Sequence, residues 1–187
     1  QLQLNEQTAA FPFINVAASS RGTMVRINTQ TGEIVGEYRT APQTFGLNPS
    51  RTTVDLFGNV WTSNRNEVSP IGGVLHGSVV KIGLIVGGTR VDIDETPNPA
   101  GDYLAPPFGY NTCEDRDGDG LIKTSRGLAD IRPWINVTDG LGGTDNMDDD
   151  ARVDDADDEC ILVYQRLPNA EAARHVSVDA DNNVWVG

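Results

Sequence analysis

The sequence is poor in the residues on which metal enzymes, redox proteins and membrane helices depend. It holds two histidines, His76 and His175, far apart in the chain. Histidine-rich metal catalysis and a Ser-His-Asp arrangement both lack candidates, and no glycine-rich phosphate loop is present. The two cysteines, Cys113 and Cys160, have no neighbouring Cys or His at zinc spacing. No apolar run approaches the roughly 20 residues of a membrane-spanning helix. Aromatic residues make up only 6% of the chain. Basic residues are also scarce, 14 Lys and Arg against 27 Asp and Glu, a net charge of −13. A surface of that sign repels nucleic acid and anionic lipid and suits cations.

What is abundant is glycine, 20 residues, with 10 prolines and many short β-branched runs. That mixture predicts an all-β fold of short strands and tight turns. The 187 residues suffice for one core, or for one core with a large insertion. The chain begins at Gln1 rather than at methionine, which fits a processed protein or a piece of a longer one.

One stretch occurs twice. Val54-Asp55-Leu56-Phe57-Gly58-Asn59-Val60-Trp61 returns as Val178-Asp179-Ala180-Asp181-Asn182-Asn183-Val184-Trp185. An arginine precedes each copy, at Arg51 and Arg174. Each copy reads as a β-hairpin, with Gly58 and Asn182 at the turn position that tolerates positive φ. Asp55 and Asp179 fall where aspartate caps backbone N–H groups. Trp61 and Trp185 hold equivalent positions. That favours packing between repeats over a sugar platform formed with Trp134.

A second pair extends the repeat. Gly77-Ser78-Val79-Val80-Lys81-Ile82 echoes Gly22-Thr23-Met24-Val25-Arg26-Ile27. A third pair follows, because Ile161 to Arg166 matches Ile34 to Arg39. From Tyr38 to Val54 is 16 residues and from Tyr164 to Val178 is 14. The unit therefore has four antiparallel strands, at 51–55, 59–63, 77–82 and 160–166, with a long excursion before the fourth. The N-terminal unit has its second, third and fourth strands, near 11–17, 23–27 and 33–39. The C-terminal unit has its first and second. Residues 1–83 are expected to form the first blade-like units, 84–159 an irregular acidic insertion, and 160–187 the remainder. Residues 1–10 read as a tail or an edge strand.

Repeated four-stranded antiparallel units are the blades of a β-propeller. The pattern V-D-x-x-G-N-V-W followed by G-[ST]-x-V-[RK]-I resembles the secreted bacterial β-propellers of the NHL-repeat and streptogramin-lyase-like group. The resemblance covers residues 11–83 and 160–187. It implies a partial propeller, or part of a larger one, since one complete blade and two partial ones cannot close a ring. Unsatisfied sheet edges would then pair with other copies, giving a homo-oligomer or filament. Streptogramin lyases use histidine and metal on the central face. Here only His175 stands beside a first strand, where one histidine is more often structural than catalytic.

The acidity is local. Between Glu114 and Glu159 there are 15 acidic and 5 basic residues, a net of −10, and the rest of the chain carries only −3. Cys113 and Cys160 bracket this segment, where a disulfide would close it, and a disulfide implies an extracellular or cell-surface location. Within it, Asp115-Arg116-Asp117-Gly118-Asp119-Gly120-Leu121-Ile122 is D-x-D-x-D-G-x-I. Alternate carboxylates in a tight loop converge on one centre, and the backbone carbonyl of Leu121 adds an oxygen. Hard oxygen donors of this kind make calcium the first candidate. The motif resembles the first half of an EF-hand loop. It then departs, with Lys123 at the ninth position and Arg126 at the twelfth in place of a bidentate Glu. A remote carboxylate, Asp130 or Glu159, is expected to complete the set.

A second cluster, Asp145, Asp148, Asp149, Asp150, Asp154, Asp155, Asp157 and Asp158, is a candidate for another ion, although such runs are more often solvated loops. Asn136-Val137-Thr138 has the form of a glycosylation site. The functional expectation is an extracellular, calcium-stabilised structural or adhesive protein without catalytic residues. The alternatives are a piece of a lyase-like or hydrolytic propeller enzyme and a ligand-binding sensor propeller.

Overall fold

The computed structural model describes residues 11–43, 45, 48–68, 75–135, 153, 155–167 and 170–187. Asn136, Asp145, Asp148, Asp149, Asp150, Asp154 and the N-terminal stretch 1–10 lie outside the described residues.

The described residues form twelve strands: β1 (Phe13–Ala18), β2 (Thr23–Asn28), β3 (Ile34–Arg39), β4 (Pro49–Val54), β5 (Val60–Val68), β6 (Leu75–Ile82), β7 (Ile85–Val91), β8 (Tyr103–Asn111), β9 (Ile122–Lys123), β10 (Ile161–Leu167), β11 (Val176–Val178) and β12 (Val184–Val186). The pairing is antiparallel throughout, in four sheets ordered β1-β2-β3, β10-β6-β5-β4, β11-β12 and β7-β8-β9. None of these sheets closes on itself.

The four-stranded sheet is built from the four segments in which the repeat recurs. Strand β10 pairs with β6 across the intervening excursion, with Tyr164 opposite Val80. The two hairpin copies also fold alike. Gly58 has φ 79° and Asn182 has φ 67°, so the turn in each copy passes through the left-handed region at the equivalent residue. In each copy one aspartate organises the turn. Asp55 Oδ1 accepts from the Phe57 and Asn59 N–H groups, and Oδ2 from Asn59 Nδ2 and Trp61 Nε1. Asp179 repeats this with the Asp181 and Asn183 N–H groups, Asn183 Nδ2 and Trp185 Nε1.

Packing treats the two copies differently. Trp61 is half-buried, with Lys81 over its ring at 5.6 Å, whereas Trp185 is 63% exposed. The expectation that both indoles are buried between repeats is therefore corrected. Their shared contact is the N–H bond to the turn aspartate.

The excursion is not irregular, contrary to the sequence reading. It holds the three-stranded sheet β7-β8-β9. Alternation in β7 and β8 is obscured by Gly87, Gly88, Pro106 and Pro107, and the register slips where Gly87 meets Phe108. This sheet contributes Leu104 and Ile122 to a core shared with Met24, Tyr38, Val60, Val80, Ile82, Trp134 and Tyr164. A buried carboxylate ties the excursion to the N-terminal sheet. Glu37 is fully buried and accepts from Thr23 Oγ1 (2.6 Å), Arg21 Nη2 (2.8 Å) and the Ala129 N–H (2.8 Å). The Glu37 N–H in turn donates to Ser125 Oγ at 2.9 Å.

Strand β4 lies between β1 and β11. Thr52 Oγ1 donates to the Asn15 carbonyl on one side (3.0 Å), and the Leu56 N–H donates to Asn182 Oδ1 on the other (2.8 Å). The three repeat-derived sheets thus stand in sequence order around β4.

Candidate metal centre

The acidic loop runs from the end of β8 to β9 and is held from behind. Cys113 is disulfide-bonded to Cys160, with Cα atoms 4.4 Å apart. The Glu114 N–H donates to the Glu159 carbonyl at 3.2 Å. The Arg116 side chain turns away from its acidic neighbours and donates to the carbonyls of Ala156, Asp158 (2.9 Å) and Ile161 (3.0 Å). Its guanidinium is therefore taken up by the segment from Ala156 to Ile161 behind the loop.

Within the loop, Asp115 acts as the hub. Its Oδ1 accepts from the Gly118 and Asp119 N–H groups (2.7 and 3.1 Å), and its Oδ2 from the Gly120 N–H (2.8 Å). Asp119 Oδ1 accepts from the Leu121 N–H at 2.8 Å, and the Leu121 side chain is buried. Gly118 and Gly120 have φ 75° and 85°, the conformation that lets the chain coil tightly enough to gather the carboxylates. One oxygen each from Asp115, Asp117 and Asp119 lies within 4.8 Å of the other two, and all three residues are exposed. Among the described residues this is the one group of His, Cys, Asp and Glu side chains with such geometry. Its donors are all hard oxygens, which fits a divalent cation of the calcium or magnesium type better than zinc.

The two carboxylates expected to complete the set have other partners. Asp130 Oδ2 accepts from the Arg126 N–H (2.7 Å) and Nε (3.1 Å), and Oδ1 accepts from Arg126 Nη2 (3.1 Å) and Arg132 Nη2 (3.2 Å). Burial opposes its charge, but the bonds from Arg126 and the charges of Arg132 and Arg126 outweigh that and hold the carboxyl below its usual range. Asp130 is outside the triad. Glu159 adjoins the loop without entering the triad. Its Oε1 accepts from the Arg116 N–H (2.8 Å) and its Oε2 from the Lys123 N–H (2.7 Å), so one carboxylate closes both ends of the loop. Burial pushes its pKa up, and the nearby charge of Asp117 adds to that rise.

Two described members of the second acidic cluster, Asp157 and Asp158, serve the scaffold, and Asp155 lines the cleft beside the loop. Asp157 pairs with Lys123. Asp158 is buried, with Oδ1 accepting from Thr124 Oγ1 (2.9 Å) and the Cys160 N–H (3.0 Å), and Oδ2 from the Ser125 N–H (3.1 Å). Burial raises its pKa to about 6. Neither Asp157 nor Asp158 belongs to a group with metal-binding geometry.

Sequence reasoning missed Arg116 as the loop's anchor and Glu159 as its clasp. The alternation of Arg116 between two aspartates was the available signal, since a side chain at that position projects opposite to its acidic neighbours. A cleft of about 520 Å³ opens beside the loop, lined among others by Asp117, Glu159, Tyr103 and Lys123, with the Lys123 ammonium 5.7 Å from the centre of the Tyr103 ring. His76 lies on β6, and the backbone of His175 pairs with Gly187. No helix among the described residues is long and apolar enough to cross a membrane. Comparison with family models, curated proteins and solved structures finds no match.

Proposed function

We propose that the chain is a calcium-stabilised, extracellular repeat protein of β-propeller type with a structural or adhesive role, assembling with further copies and carrying no catalysis of its own. The observation that carries this reading is the Asp115-Asp117-Asp119 triad, exposed in front and locked from behind by Arg116, Glu159 and the Cys113–Cys160 bridge. Three carboxylates this close repel one another, and a bound divalent cation removes that repulsion. Calcium would be held by Asp115, Asp117 and Asp119, with the Leu121 carbonyl and water supplying further oxygens. The ion supplies positive charge that ties the loop together. The protein residues supply a loop shape that already exists, so little ordering cost attends binding.

The propeller-type reading is supported by the internal repeat and by the sequence-ordered sheets around β4. The disulfide supports an oxidising compartment. The cleft beside the loop favours a second reading, a sensor in which a ligand reaches Asp117 and Lys123 together.

The test is titration calorimetry with calcium chloride, together with thermal melts in calcium and in chelator. Calcium is expected to bind and to raise the Tm, and Asp117→Asn or Asp119→Asn to weaken binding about tenfold or more. Melting curves that coincide in calcium and chelator would overturn the metal reading.

A further inference from the structure

The chain is strongly acidic, yet one cavity gathers arginines. It has a volume of about 260 Å³ and lies where the N-terminal sheet faces the β7-β8-β9 sheet. Its lining grades inward. Glu33 and Arg126 are exposed at the rim, Arg90 is half-buried, and Arg26 and Tyr38 are 2% and 3% exposed.

Arg26 and Arg90 are held by neutral groups. Arg26 Nε donates to Asn15 Oδ1 (3.0 Å) and Nη1 to the Gly83 carbonyl (2.8 Å). Arg90 Nη1 donates to the carbonyls of Thr124 (2.9 Å) and Asp102 (3.3 Å), and Nη2 to that of Ser125 (2.6 Å). Among the described residues neither forms an ion pair. Arg21 and Arg132, by contrast, meet carboxylates, Arg21 on Glu37 and Arg132 on Asp102 and Asp130. Arg126 at the rim is also paired, with Asp130. Burial pulls the pKa of Arg90 below its ordinary value even with Asp130 and Asp158 nearby. Two positive charges therefore share a partly desolvated space without a paired carboxylate.

Arg26 also leaves one donor unused. Its Nη2 is buried and has no hydrogen-bond partner. It is closed to solvent, so water does not stand in for the missing acceptor. The Arg26 guanidinium carbon lies 5.3 Å from the centre of the Tyr38 ring, which attracts the charge but offers no oxygen in line with that N–H. A buried donor without an acceptor is costly to keep, and an incoming oxygen removes that cost.

The rest of the lining limits what can bring the oxygen. Phe13, Val35, Ile85 and Leu104 supply apolar wall. The volume falls below the roughly 300–1,000 Å³ of sites for drug-sized ligands, so the occupant is small. The planar fork of a guanidinium matches the two oxygens of a carboxylate. We infer that this cavity binds a small organic acid, its carboxylate between Arg26 and Arg90 and its apolar body against Phe13, Val35, Ile85 and Leu104. The inference uses none of the loop carboxylates and stands apart from the metal reading.

The test is titration of the full chain with hexanoate and with benzoate, followed by calorimetry and by NMR of the arginine side chains. Hexanol and benzyl alcohol serve as uncharged controls, and inorganic phosphate as an anion without an apolar body. At least one acid is expected to bind saturably, to shift the Arg26 and Arg90 side-chain signals, and to bind at least about tenfold more tightly than its alcohol or phosphate. Arg26→Met and Arg90→Met are each expected to weaken binding about tenfold or more. Because both arginines also hold the scaffold, Val35→Trp is the second variant. Val35 is half-buried on the cavity wall, and the larger ring fills the space while leaving both guanidiniums in place. Binding is expected to be lost in this variant with circular dichroism unchanged. No saturable binding of either acid, an alcohol or phosphate that binds as tightly, or undiminished binding in Val35→Trp would each overturn the inference.

Discussion

The two copies of the Val-Asp hairpin have the same turn and the same four bonds to the aspartate, yet they are buried to different depths. Asp55 is 6% exposed, in a hairpin continued by β6 and β10 and flanked by β1 and β11. Asp179 is half-buried, and its hairpin forms a sheet of two strands. The comparison separates local from tertiary causes. A short aspartate side chain, a residue at positive φ and an indole N–H suffice to build the turn, whatever surrounds it. Burial of the same turn is decided by which sheet stands next to it.

The sharpest way to break the comparison is to remove the aspartate from each copy. Asp55→Ala leaves two backbone N–H groups, an amide and an indole N–H without their acceptor, the Asn59 N–H and amide being buried, and is expected to cost about 2–4 kcal/mol. Asp179→Ala frees the equivalent donors on Asp181, Asn183 and Trp185, which are exposed, and is expected to cost clearly less. Chemical denaturation of both variants checks this, and equal losses would mean that burial does not discriminate the copies. Next in size is the turn residue. Gly58→Ala forces a side chain into the left-handed region, at about 1–2 kcal/mol. The new Cβ would also meet Leu84 Cδ2 at 2.8 Å, so a larger loss is expected unless Leu84 shifts. Asn182 already carries a side chain at that conformation. Asn182→Gly is expected to change stability by only about 0.5 kcal/mol, losing the bond to the Leu56 N–H while relaxing the backbone. Thermal melts of the pair measure the contrast.

The smallest effect expected is in pH dependence, where two aspartates move in opposite directions. The Trp185 N–H bond, followed by the bonds from Asn183, lowers Asp179 to about 2. Its folded pKa is below the unfolded value, so its contribution is present above the unfolded pKa and is lost as pH falls through about 2. Asp158 is raised to about 6 by burial, against its hydrogen bonds. Its folded pKa is above the unfolded value, so its contribution is complete below the unfolded pKa and is lost as pH rises through about 6. Carboxyl carbon shifts followed by NMR titration should show the two midpoints about 4 units apart. Coincident midpoints would remove the argument from environment.

Much of the strand architecture was legible because the repeat carries it. Gly-[ST]-x-Val-basic-Ile marks a strand twice, and its partner Ile161 to Arg166 could be recognised across the whole excursion. The loop triad was legible for a different reason, since alternation of Asp with Gly over so few residues constrains the backbone by itself. The sheet β7-β8-β9 was hidden by its glycines and prolines, which read as loop punctuation while in fact lying within paired strands. The clasp was also hidden. Asp130 and Glu159 are both remote carboxylates, and nothing local tells which one meets arginines and which one bridges Arg116 to Lys123.

The sequence by itself determined the strand periodicity, the two aspartate turns, the carboxylate triad and the pair of cysteines, because each is set by steric and hydrogen-bonding rules acting over a few residues. Only the tertiary structure decided which copy is buried more deeply and where Glu159 bonds. Those outcomes depend on how separate sheets exclude water from one another, and apolar burial is a sum over surfaces brought together from distant parts of the chain.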